Sequence, residues 1–159
     1  MKQNVPEWLK PFERKFVDHN FKITDAASIK PFVDKLLNRK VDSEQDIVVW
    51  LEDYSELEGV IDEDYNGRYV AMTCNTKDKK KEEAYLYFVR EIQPKLTEWS
   101  NALNQKYYGF ESRKQLDTQE FGRLDRIIST QIELYKEKNI PLSVKLSEMS
   151  QKYQSITGS

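Results

Sequence analysis

The residues that could do chemistry most directly lie in one acidic stretch, DEDYNGRYVAMT, which runs from Asp62 to Thr73. Asp62, Asp64 and Asn66 occupy alternate positions, and Gly67 follows where an EF-hand loop makes its sharp turn. Such a loop also needs a bidentate Glu at its last position, which here holds Thr73. The carboxylate spacing suggests a calcium site, and the missing Glu argues against it.

Two further residues are chemically distinctive because each is the only one of its type: His19 and Cys74. A zinc site or a nucleophilic triad needs several partners that the chain does not supply. We therefore predict a surface or partly packed imidazole at His19 and a buried, structural thiol at Cys74.

The common catalytic motifs are also missing from the sequence. It contains no Gly-rich phosphate loop, no Gly-x-Ser-x-Gly elbow and no His-Glu-x-x-His pair. We therefore assign no catalytic, cofactor-binding or metal-binding residue. The residues alone predict a domain that binds no cofactor and has no active site of its own.

The composition narrows the class of protein and its partners. The chain has 159 residues, of which 33% are charged, with a formal net charge of −2, so no basic footprint for nucleic acid is present. No stretch is apolar enough for a membrane span, and the N-terminus lacks a secretory h-region. With a single cysteine, a reducing cytoplasm is the expected location. Five Gly and five Pro are few for a turn-rich β protein and favour helices.

The acidic stretch must be positioned by a long helix. Ser43 is a suitable N-cap, and apolar residues then recur every three or four positions without a change of phase. They are Ile47, Trp50, Leu51, Tyr54, Leu57, Ile61, Tyr65, Tyr69 and Met72. We predict a continuous helix from Ser43 to Thr76, with the calcium match an accident of composition. Residues 41–66 carry ten acids and no Lys or Arg, and we expect them to coat a solvent face rather than to bind a basic partner.

The N-terminal part should contain a lead-in and one short helix. Residues 1–23 read as an irregular lead-in, and residues 24–159 as one helical domain. Thr24 or Ser28 can cap a first helix that ends near residues 38–39. Pro31 is expected in or before its first turn, because Pro breaks a helix interior.

The C-terminal part should contain three helices. A helix over 78–107 should kink at Pro94, and a break is expected near Gly109. Thr118 can cap the next helix, and residues 139–141 turn the chain into the last one. The apolar stripe of that last helix is Leu142, Leu146, Met149 and Tyr153. The predicted fold class is all-α, with long antiparallel helices packed as hairpins or a bundle and no sheet.

Aromatic side chains at helical spacing are predicted to form the core. They are Trp50, Tyr54, Tyr69, Tyr85, Phe88 and Trp99. Tyr87, Tyr107 and Tyr108 fall off this stripe. They could line a groove, and a place at the edge of the core or on the surface is equally compatible with the pattern.

Several short landmarks occur in a familiar order: LLNR, SELE, MTCNT, EIQPK, NIPL and ITG. In this order they resemble the N-terminal region of oligoendopeptidase F-type zinc metallopeptidases, the thimet-oligopeptidase-like family, over about residues 22–158. The resemblance implies a larger helical enzyme whose zinc is held by a downstream His-Glu-x-x-His helix and a further Glu, with the motif Glu as general base. No catalytic residue of that family has a counterpart in this chain.

The resemblance implies a supporting role for the chain. In the family, the N-terminal helices form one wall of a channel that admits short peptides, and the catalytic domain is the partner. Tyr87, Tyr107, Tyr108 and Arg113 are candidates to face that channel. The chain alone should bind no zinc and cleave nothing. The alternative is a stand-alone helical interaction module that holds a protein partner.

Overall fold

The fold of residues 14–157, the part of the chain that the structure describes, is built from helices alone in a computed structural model. The α-helices are α1 (Ala26–Asn38), α2 (Glu44–Thr73), α3 (Lys79–Tyr87), α4 (Gln93–Tyr108), α5 (Thr118–Leu134) and α6 (Ile140–Thr157). A π-helical segment, Phe88–Ile92, joins α3 to α4, and short 3-10 turns precede α5 and α6. Between residues 14 and 157 there is no strand, so the predicted all-α class is confirmed.

Helix α2 has 30 residues, a length of about 45 Å at the rise of an α-helix. Ser43 is its N-cap and accepts a hydrogen bond from the Asp46 backbone N–H, while the Asp46 carboxylate accepts from the Ser43 N–H. The stretch from Asp62 to Thr73 lies inside this helix. The continuous helix is confirmed, because a calcium loop would require the backbone to leave it.

Helix α2 runs antiparallel to α3 and α4, as the contacts along the pair show. Tyr65 packs on Phe88 with ring centroids 5.3 Å apart. Nearer the N-terminus of α2, the Tyr54 hydroxyl lies 3.1 Å from the hydroxyl of Ser100, which comes later in the chain than Phe88. The π-helical segment directly precedes α4, and Pro94 lies in the first turn of α4. Since Pro lacks a backbone donor, the helix accommodates it by a wider turn before α4.

The main core lies between α1, α2, α4 and α5. Trp50 and Tyr107 are completely buried at its centre, and the Trp50 indole N–H donates to the Leu36 carbonyl oxygen at 3.0 Å. The Lys106 ammonium donates to the carbonyl oxygens of Leu37 and Arg39, at 2.7 Å each, and so joins α4 to the end of α1. These bonds satisfy carbonyl groups at the C-terminus of α1 that have no partner within the helix.

The start of α1 differs from the prediction. Asp25, rather than Thr24 or Ser28, is the N-cap. Ser28 is the third residue of the helix and forms a capping box with Asp25. The helix therefore begins at Ala26, and Pro31 lies in its second turn instead of the first. The burial of Ile29 and Val33 on either side of Pro31 stabilises the helix against the loss of one hydrogen bond. The N-cap of α5 is Asp117, one residue before the predicted Thr118.

Residues 14–25 form no helix and lie against the core. Val17 and Ile23 are buried, and Phe21 packs edge-on against Phe32 of α1 at 4.9 Å. The first 13 residues of the predicted lead-in lie outside the described residues. The predicted domain boundary at residue 24 stays a prediction.

The buried carboxylate of Glu56 on α2 holds this segment in place. It accepts the backbone N–H groups of Lys15, Phe16 and Val17 at 2.9, 2.9 and 2.7 Å. Other acids of α2 pair with bases within the chain, such as Asp53 with Arg39 at 2.7 Å and Glu63 with Arg14 at 2.8 Å. The acidic block of α2 therefore does more than coat a solvent face.

Candidate functional site

Among residues 14–157, no group of three or more His, Cys, Asp or Glu side chains is placed to hold a metal ion. His19 is exposed, as predicted. Cys74 is exposed, so the predicted buried thiol is wrong. Cys74 caps the C-terminus of α2, and Met72 in the same turn takes the buried position.

A groove of about 570 Å³ lies between α2, α4 and α5. Its floor is apolar, with Leu57 and Leu103 buried, and its rim carries Trp99 and the exposed side chain of Leu134. Polar side chains also line it: Tyr54, Glu58, Ser100, Asn101, Asn104 and Gln131. An apolar floor with a few polar groups is the usual composition of a site for a peptide or small ligand.

A chain of hydrogen bonds fixes the polar wall of this groove. The Tyr54 hydroxyl lies 3.1 Å from Ser100 and 3.4 Å from the Asn104 side-chain oxygen. The Asn104 amide nitrogen donates to the Gln131 side-chain oxygen at 2.9 Å. Since Tyr54 lies on α2, Ser100 and Asn104 on α4, and Gln131 on α5, the network holds the three helices in a fixed arrangement.

The surroundings of the groove raise the pKa of two of its ionisable groups, Tyr54 and Glu58. Burial, together with the charge of nearby Glu58, raises the pKa of Tyr54 far above its usual value, so the phenol is neutral at physiological pH. Partial desolvation of the carboxylate also raises the pKa of Glu58, although this residue is exposed on the surface.

The four residues named as channel candidates have different surroundings. Tyr107 is completely buried, and the Arg113 guanidinium pairs with Asp125 and stacks over the Tyr108 ring at 4.2 Å from its centroid. Burial beside Asp125 raises the pKa of Tyr107 to about 12. Tyr107 and Arg113 are therefore structural, whereas Tyr87 and Tyr108 are 37% and 45% exposed and stay open to a ligand.

Helix α6 presents an apolar face to solvent. Leu142, Leu146, Met149 and Tyr153, which we call the α6 face, are 64%, 65%, 61% and 68% exposed. The helix was predicted correctly, and these four residues were identified as its apolar stripe. The stripe nevertheless points away from the domain, so it is not part of the core.

Sequence reasoning missed the groove and the role of Glu56. A usable signal for the groove was the run of amides and hydroxyls on the inner side of α4, including Ser100, Asn101 and Asn104, next to the apolar stripe. No comparable signal identifies Glu56, because one acid among ten in the same segment looks like its neighbours. Its role depends on backbone donors about 40 residues away.

Comparison with known families and proteins gives one result. Residues 16–135 match the family model described as Peptidase M3 N-terminal domain, a segment from the lead-in to the residue that follows α5. No curated protein and no solved structure matches the chain. The landmarks NIPL and ITG begin at residues 139 and 156, beyond the matched segment.

Between residues 14 and 157, no helix is both long and apolar enough to cross a bilayer.

The family match covers three quarters of the chain and includes α1 to α5 with the groove between α2, α4 and α5. The chain therefore belongs to the Peptidase M3 N-terminal domain family.

Proposed function

We propose that this chain is the non-catalytic N-terminal region of a zinc metallopeptidase of the oligoendopeptidase F type, which hydrolyses short peptides in the cytoplasm. The observation that carries the proposal is the family match over residues 16–135. The zinc and the reaction belong to the catalytic domain, which is the partner of this region.

The groove between α2, α4 and α5 is the surface that we assign to the peptide channel. An extended peptide needs both apolar contact and hydrogen-bond partners for its backbone. The groove supplies Trp99 and Leu134 for the first, and the amides of Asn101 and Gln131 for the second. Since the network through Tyr54 fixes these helices, the wall would be rigid before a peptide arrives.

The proposal is tested by changing the groove in the full-length peptidase. Leu134→Glu places a charge on the groove rim, at a side chain that is 70% exposed, so folding should be unaffected. We expect KM for a fluorogenic peptide to rise by about tenfold, with kcat little changed, because ground-state and transition-state binding are lost together. Val70→Glu, at a side chain 55% exposed outside the groove, is the matched control.

Two results would contradict the proposal. Equal KM values for Leu134→Glu and Val70→Glu would show that the groove is not part of the peptide channel. Chelator-sensitive peptide cleavage by the isolated chain would show that the chain is itself catalytic.

A further inference from the structure

Helix α6 is amphipathic in the opposite sense from a usual surface helix. The side of α6 that contacts the domain is mainly polar: Glu148 pairs with Arg90 at 2.5 Å, Gln151 donates to Glu82 at 2.9 Å, and Gln154 donates to the Tyr69 hydroxyl at 2.9 Å. The opposite side is the α6 face, with four large apolar side chains above 60% exposure. A surface helix normally buries its apolar stripe, so this orientation indicates that something else covers the α6 face.

The spacing along the α6 face specifies the shape of what covers it. Its residues are separated by four, three and four positions, which is the repeat of a coiled-coil seam. Side chains at this spacing face a second helix continuously along its length. A strand or a loop has a different repeat and would not match them. The structure therefore favours a helix laid along α6.

The charges beside the seam specify the partner further. Lys145 and Lys152 are exposed on one edge of the seam, and Ser143 and Ser150 are exposed on the other edge. Two copies paired in antiparallel fashion would place lysine against lysine, and two parallel copies would place each lysine against a serine. Neither arrangement offers an acidic residue, so a second copy of this chain is a poor occupant.

We propose that the α6 face is the docking seam for an amphipathic helix of the peptidase's catalytic region, and that this helix carries Asp or Glu on the edge that meets Lys145 and Lys152. The occupant rests on the function proposed above. The helical seam and its charge preference rest on the contacts of α6 alone. The family match ends at residue 135, so α6 is the element that follows the matched domain along the chain.

The charge preference is tested on the 159-residue chain with two labelled synthetic helical peptides. Both carry Leu at the same spacing, one with Glu and the other with Lys on the flanking edge. In fluorescence anisotropy titrations, we expect the Glu peptide to bind about tenfold more tightly, with the difference reduced at high salt. The Lys145→Glu/Lys152→Glu double variant should reverse the preference.

A variant in the centre of the seam tests its location. Met149→Asp should weaken binding of the Glu peptide by about a hundredfold, because it places a charge in the apolar centre. Val70→Asp, at an exposed apolar position away from α6, should leave binding unchanged. Absence of binding, equal affinity for both peptides, or an unaffected Met149→Asp variant would overturn the proposed seam.

The identity of the occupant is tested in the full-length peptidase by thiol labelling. Met149→Cys, made in a Cys74→Ser background, should react with a maleimide at least about tenfold more slowly in the full-length enzyme than in the isolated chain, because the catalytic region covers it. Equal rates would overturn the proposed occupant. If the full-length enzyme hydrolyses peptides while Met149→Cys stays reactive, only this inference fails. If the full-length protein hydrolyses no peptide, the proposed function fails and the peptide titrations still test the seam.

Discussion

The contact between Glu56 and the lead-in gives a prediction whose size follows from the structure. The Glu56 carboxylate accepts the backbone N–H groups of Lys15, Phe16 and Val17. Glu56→Ala removes the acceptor and leaves the Val17 and Phe16 donors unsatisfied, the first fully buried and the second partly buried. At about 1.5 kcal/mol for each stranded donor, we expect a loss of about 3 kcal/mol in the free energy of unfolding. For a chain of this size that lowers Tm by about 6–12 °C.

The same contact makes the stability depend on pH. Burial alone would raise the pKa of Glu56, but the N–H donors of Val17, Lys15 and Phe16 outweigh burial and lower it below the ordinary value of 4.5. Because the pKa is lower in the folded state, the stabilisation is complete above pH 4.5 and is lost as the pH falls through the folded-state value. Glu56→Gln should show less of this acid dependence, since it keeps a neutral acceptor.

The assay is urea unfolding followed by circular dichroism at neutral and acidic pH, with Glu63→Ala as the control. The Glu63 side chain lies on the same helix and pairs with Arg14 at 2.8 Å, but it is 75% exposed, so its loss should cost less than about 1 kcal/mol. If Glu56→Ala is no more destabilising than Glu63→Ala at neutral pH, the lead-in is not held by this carboxylate.

Three further outcomes are expected. Trp50→Ala should lower the free energy of unfolding by about 3–5 kcal/mol in the same urea assay, because it empties the centre of the core, and a loss below about 1 kcal/mol would contradict that packing. Lys145→Glu should increase self-association in sedimentation equilibrium, since the new carboxylate would face Lys152 of an antiparallel second copy. An apparent molar mass equal to that of the unmodified chain would show that these charges do not control self-association. Millimolar calcium should leave Tm unchanged, because Asp62 and Asp64 lie inside a continuous helix, and a rise in Tm would show a calcium site after all.

The helices could be predicted from the sequence because local rules set them. Ser43 with Asp46 forms the capping box of α2, and the apolar repeat behind it continues through the acidic stretch without a break. The errors lie where a tertiary contact overrides a local rule. Pro31 lies inside α1 because the helix starts at the Asp25–Ser28 box and buries Ile29 and Val33 around it.

The side that each helix turns toward the domain could not be predicted. Periodicity shows that Leu142, Leu146, Met149 and Tyr153 share one side of α6, but it does not show what that side meets. The hydrogen bonds of Gln151 and Gln154 to α3 and α2 decide the orientation, and they join residues 69 and 85 positions apart. The burial of Tyr107 and the groove beside Tyr54 also depend on contacts between distant helices, so a one-dimensional pattern could not reveal them.

The supporting role within a metallopeptidase is tested most directly on the natural gene product. Its intact mass, its zinc content and its hydrolysis of a fluorogenic peptide should be measured beside the same quantities for the 159-residue chain. The account predicts a longer product that contains a His-Glu-x-x-His helix, binds zinc and cleaves the peptide, whereas the isolated chain binds no zinc and cleaves nothing. A natural product that ends near Ser159 and has no associated peptidase would contradict this account.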